Sequence, residues 1–182
     1  MENDSNDFKT IYNQYSTLVY TVALNYLQNI EDAEEITQDV FVQLYQSLGK
    51  FNEKSSLKTW IYRITINKCL DFIKHKNSKK RFFIFGKKSK SDYEILNISN
   101  FEHPGIALEN KEKSEILFSV INELTENQKT AFILSKIDGL SNPEISEIMQ
   151  LSISSVESLI FRAKTTLKEK LALQFTAYRK KK

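Results

Sequence analysis

Cysteine, proline, histidine and glycine are all scarce in this chain, at one, two, two and four among 182 residues. A lone Cys69 excludes an intramolecular disulfide and fits a reducing compartment, where it reads as a small buried hydrophobe. So few glycines and prolines argue against an all-β architecture, which needs turn residues every ten or so positions. No run approaches the roughly 18 apolar residues of a membrane span. The acidic start, MENDSNDF, lacks the apolar core of a signal peptide. The expected location is therefore the cytosol, with no direct membrane insertion. His75 and His103 are the only imidazoles, and neither a glycine-rich phosphate loop nor a metal-ligand spacing is present. An enzyme is the class least supported, and no cofactor or metal is expected.

Charge is present but sorted. Residues 1–56 hold 3 Lys/Arg against 9 Asp/Glu, and residues 57–90 hold 11 against 1. Residues 91–151 hold 4 against 11, and residues 152–182 hold 8 against 2. The net of +3 hides two acidic blocks that each run into a basic one. Solubility alone is served by mixed signs. Sorted blocks imply surfaces with different partners, the basic ones suited to phosphate and the acidic ones to another protein.

Apolar periodicity places the elements. Phe8, Ile11, Tyr12, Tyr15, Leu18, Val19, Val22, Ala23, Tyr26 and Leu27 draw one helical face. Asn29 suits the cap of a second helix whose buried stripe is Ala33, Ile36, Val40, Leu44 and Leu48, with Gly49 at its end. Ser55 or Ser56 caps a third helix through about Lys76. The first domain is thus expected over 5–76 and a basic then polar linker over 77–103, containing an apolar island, Phe82 to Phe85. That island reads as a docking segment against a domain or as a contact within a larger assembly. Helical periodicity resumes over 104–174, followed by a basic tail, 175–182. Capping boxes at Thr125–Gln128, Ser141–Glu144 and Ser154–Glu157 open its later helices. The fold class is all-α, two small helical domains joined by a linker.

Two constellations carry chemistry. A short helix, a turn near Gln150–Ile153 and a longer helix form the order of a helix-turn-helix, with Ile145, Ile148, Leu151, Val156, Ile160 and Leu167 as core. Ser155, Glu157, Ser158, Arg162 and Lys164 are left on or near the outer face of the second helix. Such a helix fits the major groove of duplex DNA, and Lys168, Lys170 and Arg179 to Lys182 add attraction for phosphate. A packed hairpin with a solvated basic face gives the same pattern. On the third helix, Trp60, Ile61, Ile64, the stem of Lys68 and Phe72 follow core spacing. Thr59, Tyr62, Arg63, Ile66, Asn67, Leu70 and Lys74 follow the other face. An exposed aromatic beside arginine, asparagine and lysine suits stacking on an unpaired base with contact to its backbone. Trp60 as a base contact and Arg63 as a structural ion-pair partner are the competing readings.

Several runs add a resemblance. Glu31-Asp-Ala-Glu-Glu-Ile-Thr-Gln-Asp-Val-Phe, Leu57-Lys-Thr-Trp-Ile-Tyr-Arg-Ile and Asn67-Lys-Cys-Leu-Asp-Phe-Ile closely resemble the promoter-melting domain of extracytoplasmic-function (ECF) sigma factors, of the sigma-70 family. Leu124-Thr-Glu-Asn-Gln-Lys-Thr-Ala-Phe, Gly139-Leu-Ser-Asn-Pro-Glu-Ile-Ser-Glu-Ile-Met and Ser155-Val-Glu-Ser-Leu-Ile-Phe-Arg-Ala-Lys resemble that group's C-terminal domain. Both sets stand in the family's order and spacing.

The resemblance implies a sigma factor that binds core RNA polymerase, recognises −10 and −35 promoter elements and directs transcription initiation. Asp32, Glu35, Gln38 and Asp39 would bind the basic clamp helices of the polymerase's largest subunit. The loop Asn52-Glu-Lys-Ser55-Ser56, with Lys58, Tyr62, Arg63, Asn67 and Lys68, would take the −10 element as single strand, a base being extruded at a cost on the order of a few kcal/mol. Lys79, Lys80, Arg81, Lys87 and Lys88 would run near template or nascent RNA. The last helix would read the −35 element as duplex, and an anti-sigma factor is a further implied partner. Glu157 and Leu159 depart from the pattern, standing where the family often has basic residues. As the last member of a Ser154 capping box, Glu157 would serve the helix end. Facing bases, it could accept from a cytosine amino group. The alternative to a sigma factor is a stand-alone helix-turn-helix regulator, which explains residues 124–170 and nothing before them. A protein-only adaptor is a third reading.

Overall fold

The computed structural model describes residues 2–51, 55–86 and 111–181, with side chains over 8–49, 51, 55–78 and 113–174. Among these, every regular element is helical. The chain divides into two compact units, Met1–His103 and Pro104–Lys182.

The first unit packs three helices against one another: α1 (Glu2–Leu27), α2 (Ile30–Ser47) and α3 (Leu57–Gly86). Helix α1 ends because Gln28 takes a left-handed conformation, φ 55°. Asn29 then caps α2, its side-chain oxygen accepting from the Asp32 N–H at 2.8 Å. Ala33, Ile36, Val40 and Leu44 are buried on α2 as their spacing predicts. Leu48 lies in a 3-10 turn, Leu48–Lys50, and is only half-buried. Ser56, rather than Ser55, caps α3, accepting from the Thr59 N–H at 3.0 Å. The core is Val19, Val22, Ala23 and Tyr26 of α1, Val40 and Leu44 of α2, and Ile61, Thr65 and Cys69 of α3, each at most 2% exposed. Thr65 satisfies its hydroxyl by donating to the Ile61 carbonyl at 2.8 Å, so it enters the core without an unmet donor.

Helix α3 runs to Gly86, past its expected end near Lys76, so the first part of the expected linker is helical backbone. No proline interrupts it, and lysine and arginine are good helix formers. The polar run 77–81 carries no apolar period and the island 82–85 is a block without helical spacing, which is why this stretch reads as a linker in the sequence. The side chains of Lys79, Lys80, Arg81 and Phe82 to Phe85 lie outside the described residues, as do Asn52 to Lys54 and Lys87, Lys88 entirely.

The second unit holds α4 (Lys111–Asn122), α5 (Glu126–Lys136), α6 (Asn142–Met149) and α7 (Ile153–Lys181). Helix α7 packs on each of the other three and supplies the wall of the core. The capping boxes Thr125–Gln128 and Ser141–Glu144 both form. Gly139, at φ 71°, occupies a left-handed turn that L side chains rarely adopt, and this ends α5 where expected. The basic tail from residue 175 is also helical backbone through Lys181 rather than a separate tail.

Candidate polymerase and nucleic-acid surfaces

The outward stripe of α2 has two halves. Glu31, Glu34, Glu35, Gln38 and Asp39 are exposed on its N-terminal side. Asp32 is more enclosed, with its side chain 19% exposed, and it bonds the Lys76 ammonium of α3 at 2.5 Å. Asp39 lies 3.6 Å from the Lys68 ammonium. Two of the four expected polymerase-binding residues are therefore already paired with the basic helix beside them. The C-terminal half is apolar: Val42 and Tyr45 are 57% and 61% exposed. With Phe8, Tyr12, Phe41, Gln38 and Gln46 they line an open groove of about 370 Å³. Rings pack edge-on across it, Phe8 to Tyr45 at 5.1 Å and Phe8 to Phe41 at 6.3 Å. The expected apolar face of α1 thus continues beyond the core onto the surface at Tyr12.

Helix α3 corrects the sequence reading of its faces. Tyr62, expected as an exposed aromatic, is 5% exposed; Thr59 and Ile66, expected on the same outer face, are also buried. The cause is packing. The helix touches both α1 and α2, so its buried arc takes in Ile61, Tyr62, Ile64, Thr65, Ile66 and Cys69 and is wider than one amphipathic stripe. What remains outside is a narrow strip at steps of three and four: Trp60, Arg63, Asn67, the exposed Asp71 and Lys74. Asn67 and Lys74 are exposed, whereas Trp60 and Arg63 are half-buried. Trp60, assigned to the core on spacing, lies on this strip and stacks on Phe51 at 4.9 Å with an interplanar angle of 30°. The aromatic and the polar groups do adjoin, with Trp60 in the place expected of Tyr62. Lys58 is exposed in the first turn, its ammonium 6.0 Å from the Tyr62 ring centroid. Ser55 is half-buried, and Ser56 is exposed with its hydroxyl engaged at the helix cap. Lys68, also expected on the single-strand surface, points to α2 instead.

In the second unit, α6 and α7 meet across a three-residue turn, Gln150 to Ser152. Gln150 is left-handed (φ 55°), the Leu151 N–H donates to the Ser146 carbonyl at 3.2 Å, and the Ser146 hydroxyl donates to the Leu151 carbonyl at 2.5 Å. Ile145, Ile148, Val156, Ile160 and Leu167 are buried as expected, joined by Ala163. Leu151 is half-buried. The expected Ser154–Glu157 capping box does not form. Ser152 caps α7 instead, accepting from the Ser155 N–H at 3.2 Å while its carbonyl accepts from Val156 at 3.0 Å. The Glu157 carboxylate accepts from the Asn142 amide nitrogen of α6 at 3.3 Å.

The solvent-facing arc of α7 holds Ser154, Glu157, Ser158, Phe161, Arg162, Lys164 and Thr165, all exposed, with Ser155 half-buried at its edge. Phe161 is 71% exposed, in the middle of that arc. The sequence reading passed over it because phenylalanine at helical spacing reads as core. Its position one residue after the buried Ile160, and two before the buried Ala163, is the signal that could have placed it outside.

Comparison with known proteins fits these two units. Sigma-70 region 2 matches residues 11–79, and Sigma-70 region 4 matches residues 114–167. The ECF RNA polymerase sigma-E factor of Haemophilus influenzae is 26% identical over 171 residues, covering 93% of this chain and 90% of the relative. The ECF RNA polymerase sigma-E factor of Escherichia coli K12 is 27% identical over 177 residues, covering 92% and 88%. Among solved structures, RpoE in complex with the anti-sigma factor NepR, from Bartonella quintana, is similar in fold, with a TM-score of 0.65 at 21% identity, covering 91% of this chain and 97% of that one. CnrH in complex with the cytosolic domain of CnrY gives 0.61 at 20%, covering 93% and 90%. With region 2 on the three-helix unit, region 4 on the helix-turn-helix unit and sigma-E relatives spanning both, the chain belongs to the extracytoplasmic-function group of the sigma-70 family and is a sigma factor directing transcription.

Proposed function

We propose that this sigma factor docks on core RNA polymerase through the outward stripe of α2, presents the outer strip of α3 to the unpaired −10 element, and lays α7 in the major groove of the −35 duplex. The observation that carries the reading is the separation of charge between the units' faces. An acidic stripe on α2 suits a basic protein partner, and the basic half of α7 that begins at Arg162 suits phosphate. On α2 the contacts are Glu35, Gln38 and Asp39, extended by Val42 and Tyr45, with Asp32 contributing at its edge. On α3 they are Lys58, Arg63, Asn67 and Lys74, with Trp60 supplying the ring on which a base stacks. On α7 they are Ser155, Glu157, Ser158, Arg162 and Lys164, with Phe161 added; an aromatic ring there suits a thymine methyl group.

The chain does no bond-making of its own. It supplies promoter recognition, and the polymerase supplies catalysis. Its place of action is the cytoplasm, with the polymerase and the DNA; no helix among the described residues is long and apolar enough to cross a membrane. An anti-sigma partner belongs to the proposal, because a protein of similar fold is held by one in its solved structure. A stand-alone helix-turn-helix regulator would leave α1 to α3 without a role. Run-off transcription on promoter-bearing genomic fragments, with matched core polymerase and with or without this chain, is the test. The expected result is new, promoter-specific transcripts that depend on the chain; their absence overturns the proposal.

A further inference from the structure

The first half of α7 is built unlike a phosphate-binding surface. From Ile153 to Phe161 it carries no lysine or arginine, and its one charge is the carboxylate of Glu157. A carboxylate facing a polyanion is repelled unless it has a specific partner. Two structural roles could have explained it. The helix end does not need it, since Ser152 caps α7. Among the described residues no lysine or arginine holds it either; its contact is the side-chain amide of Asn142, at 3.3 Å. Because an ionised carboxylate only accepts, the amide must turn its N–H₂ toward Glu157, which fixes the orientation of both groups.

We infer that Asn142 and Glu157 form a base-reading pair that selects cytosine at one position of the −35 duplex. The inference rests on the proposal that α7 enters the major groove there. One carboxylate oxygen accepts from Asn142 and the other remains to accept from a base edge. Cytosine presents only an amino donor in the major groove. Guanine presents two acceptors, thymine an acceptor and a methyl group, and adenine a donor beside an acceptor. A fixed acceptor therefore ranks cytosine first, adenine second, and guanine and thymine last. Asn142 contributes by holding the carboxylate in place before binding, so that less side-chain freedom is lost in the complex. It is a positioning residue, and Glu157 is the reading one. Glu157 is exposed and Asn142 half-buried at the start of α6, so substitutions at either leave the core intact.

The test uses holoenzyme assembled from the full chain and core polymerase, with transcripts sequenced from a promoter library randomised across the upstream duplex element. The wild-type chain is expected to enrich cytosine over guanine at one position by roughly tenfold or more. Glu157→Gln is expected to move the preference at that position to adenine, and Glu157→Arg to guanine, with the other positions unchanged. Asn142→Ala is expected to lower the cytosine preference severalfold without replacing it by another base. If the wild type selects promoters but no position follows Glu157, the inference falls while the sigma-factor reading stands. If Asn142→Ala leaves the cytosine preference at its wild-type value, the pairing of the two residues is refuted. If the wild type selects no upstream element at all, the −35 reading fails first and takes this inference with it.

Discussion

Substituting Tyr62 and Asn67 separately distinguishes a folding role from a DNA-contacting role on one helix. Tyr62 is 5% exposed, between α3 and its neighbours. A buried tyrosine ring removes about 200 Å² from water, worth about 5 kcal/mol at about 25 cal/mol per Å². Truncation to alanine costs about 3–5 kcal/mol once partial collapse of the cavity is allowed for. A small domain has only about 5–15 kcal/mol to lose. Tyr62→Ala is therefore expected to lower the unfolding midpoint of the first unit by at least about 12 °C, at about 4–8 °C per kcal/mol. Any loss of promoter opening would follow from that. Asn67 is exposed, and Asn67→Ala should change stability by less than about 0.5 kcal/mol. Its loss should slow opening by roughly tenfold, the value of about 1.4 kcal/mol of hydrogen bonding to an extruded base.

The assay is built into the chain. Trp60 is its only tryptophan and stacks on Phe51 in the first unit, so tryptophan fluorescence follows the melting of that unit alone. Fluorescence melts paired with permanganate footprinting of the opened promoter give stability and opening for each variant. Tyr62→Phe keeps the ring in place and is expected to open promoters at close to the wild-type rate. If Tyr62→Phe loses opening with an unchanged melt while Asn67→Ala opens normally, the assignment of the outer strip of α3 is wrong and Tyr62 acts on DNA despite its burial.

Glu35→Lys should weaken association with core polymerase by about tenfold or more at low salt, the effect shrinking as salt rises, with no change in the Trp60 melt; titration of labelled chain with core enzyme measures it, and unchanged affinity removes α2 as the docking stripe. Phe161→Ser, at a 71% exposed position, should leave stability within about 0.5 kcal/mol and cost about 1–3 kcal/mol of −35 duplex binding; a gel-shift series gives the number, and unchanged binding places Phe161 outside the interface.

Local chemistry was the legible part of this fold. Asn29, Thr125 and Ser141 cap their helices as read, because a cap is settled by residues three apart and owes nothing to the rest of the chain. Gly139 ends α5 for the same reason. Burial around α3 was not legible, because a spacing rule assumes one buried stripe and cannot count the neighbours. In contact with both α1 and α2, α3 turns Tyr62 and Ile66 inward and leaves Trp60 half-buried, stacked on Phe51. Nor was it legible that Lys68 and Lys76 would be drawn to Asp39 and Asp32. Those pairs join residues far apart in sequence, whose helices are brought together by the core and not by the charges. As partly exposed pairs they contribute little to stability. They do sit where the surfaces proposed for polymerase and for DNA adjoin, so a basic partner on α2 would compete with Lys68 for Asp39.

The start of α7 is a case where a local signal was degenerate. Ser152, Ser154 and Ser155 can each accept from a backbone N–H, and a glutamate three residues after Ser154 completes the written signature of a capping box. What decides among them is the preceding turn. Once Gln150 takes φ 55° and Leu151 bonds back to Ser146, Ser152 is the next residue able to turn the chain into a helix, and its hydroxyl and carbonyl take the N–H groups of Ser155 and Val156. The consequence reaches function. Had Ser154 capped the helix, the carboxylate of Glu157 would have been turned back onto its own backbone and withheld from any base. With Ser152 in that role it meets Asn142 and faces outward. A two-residue shift in a helix start thus changes an acidic side chain from a structural end-piece into a group available to discriminate between bases.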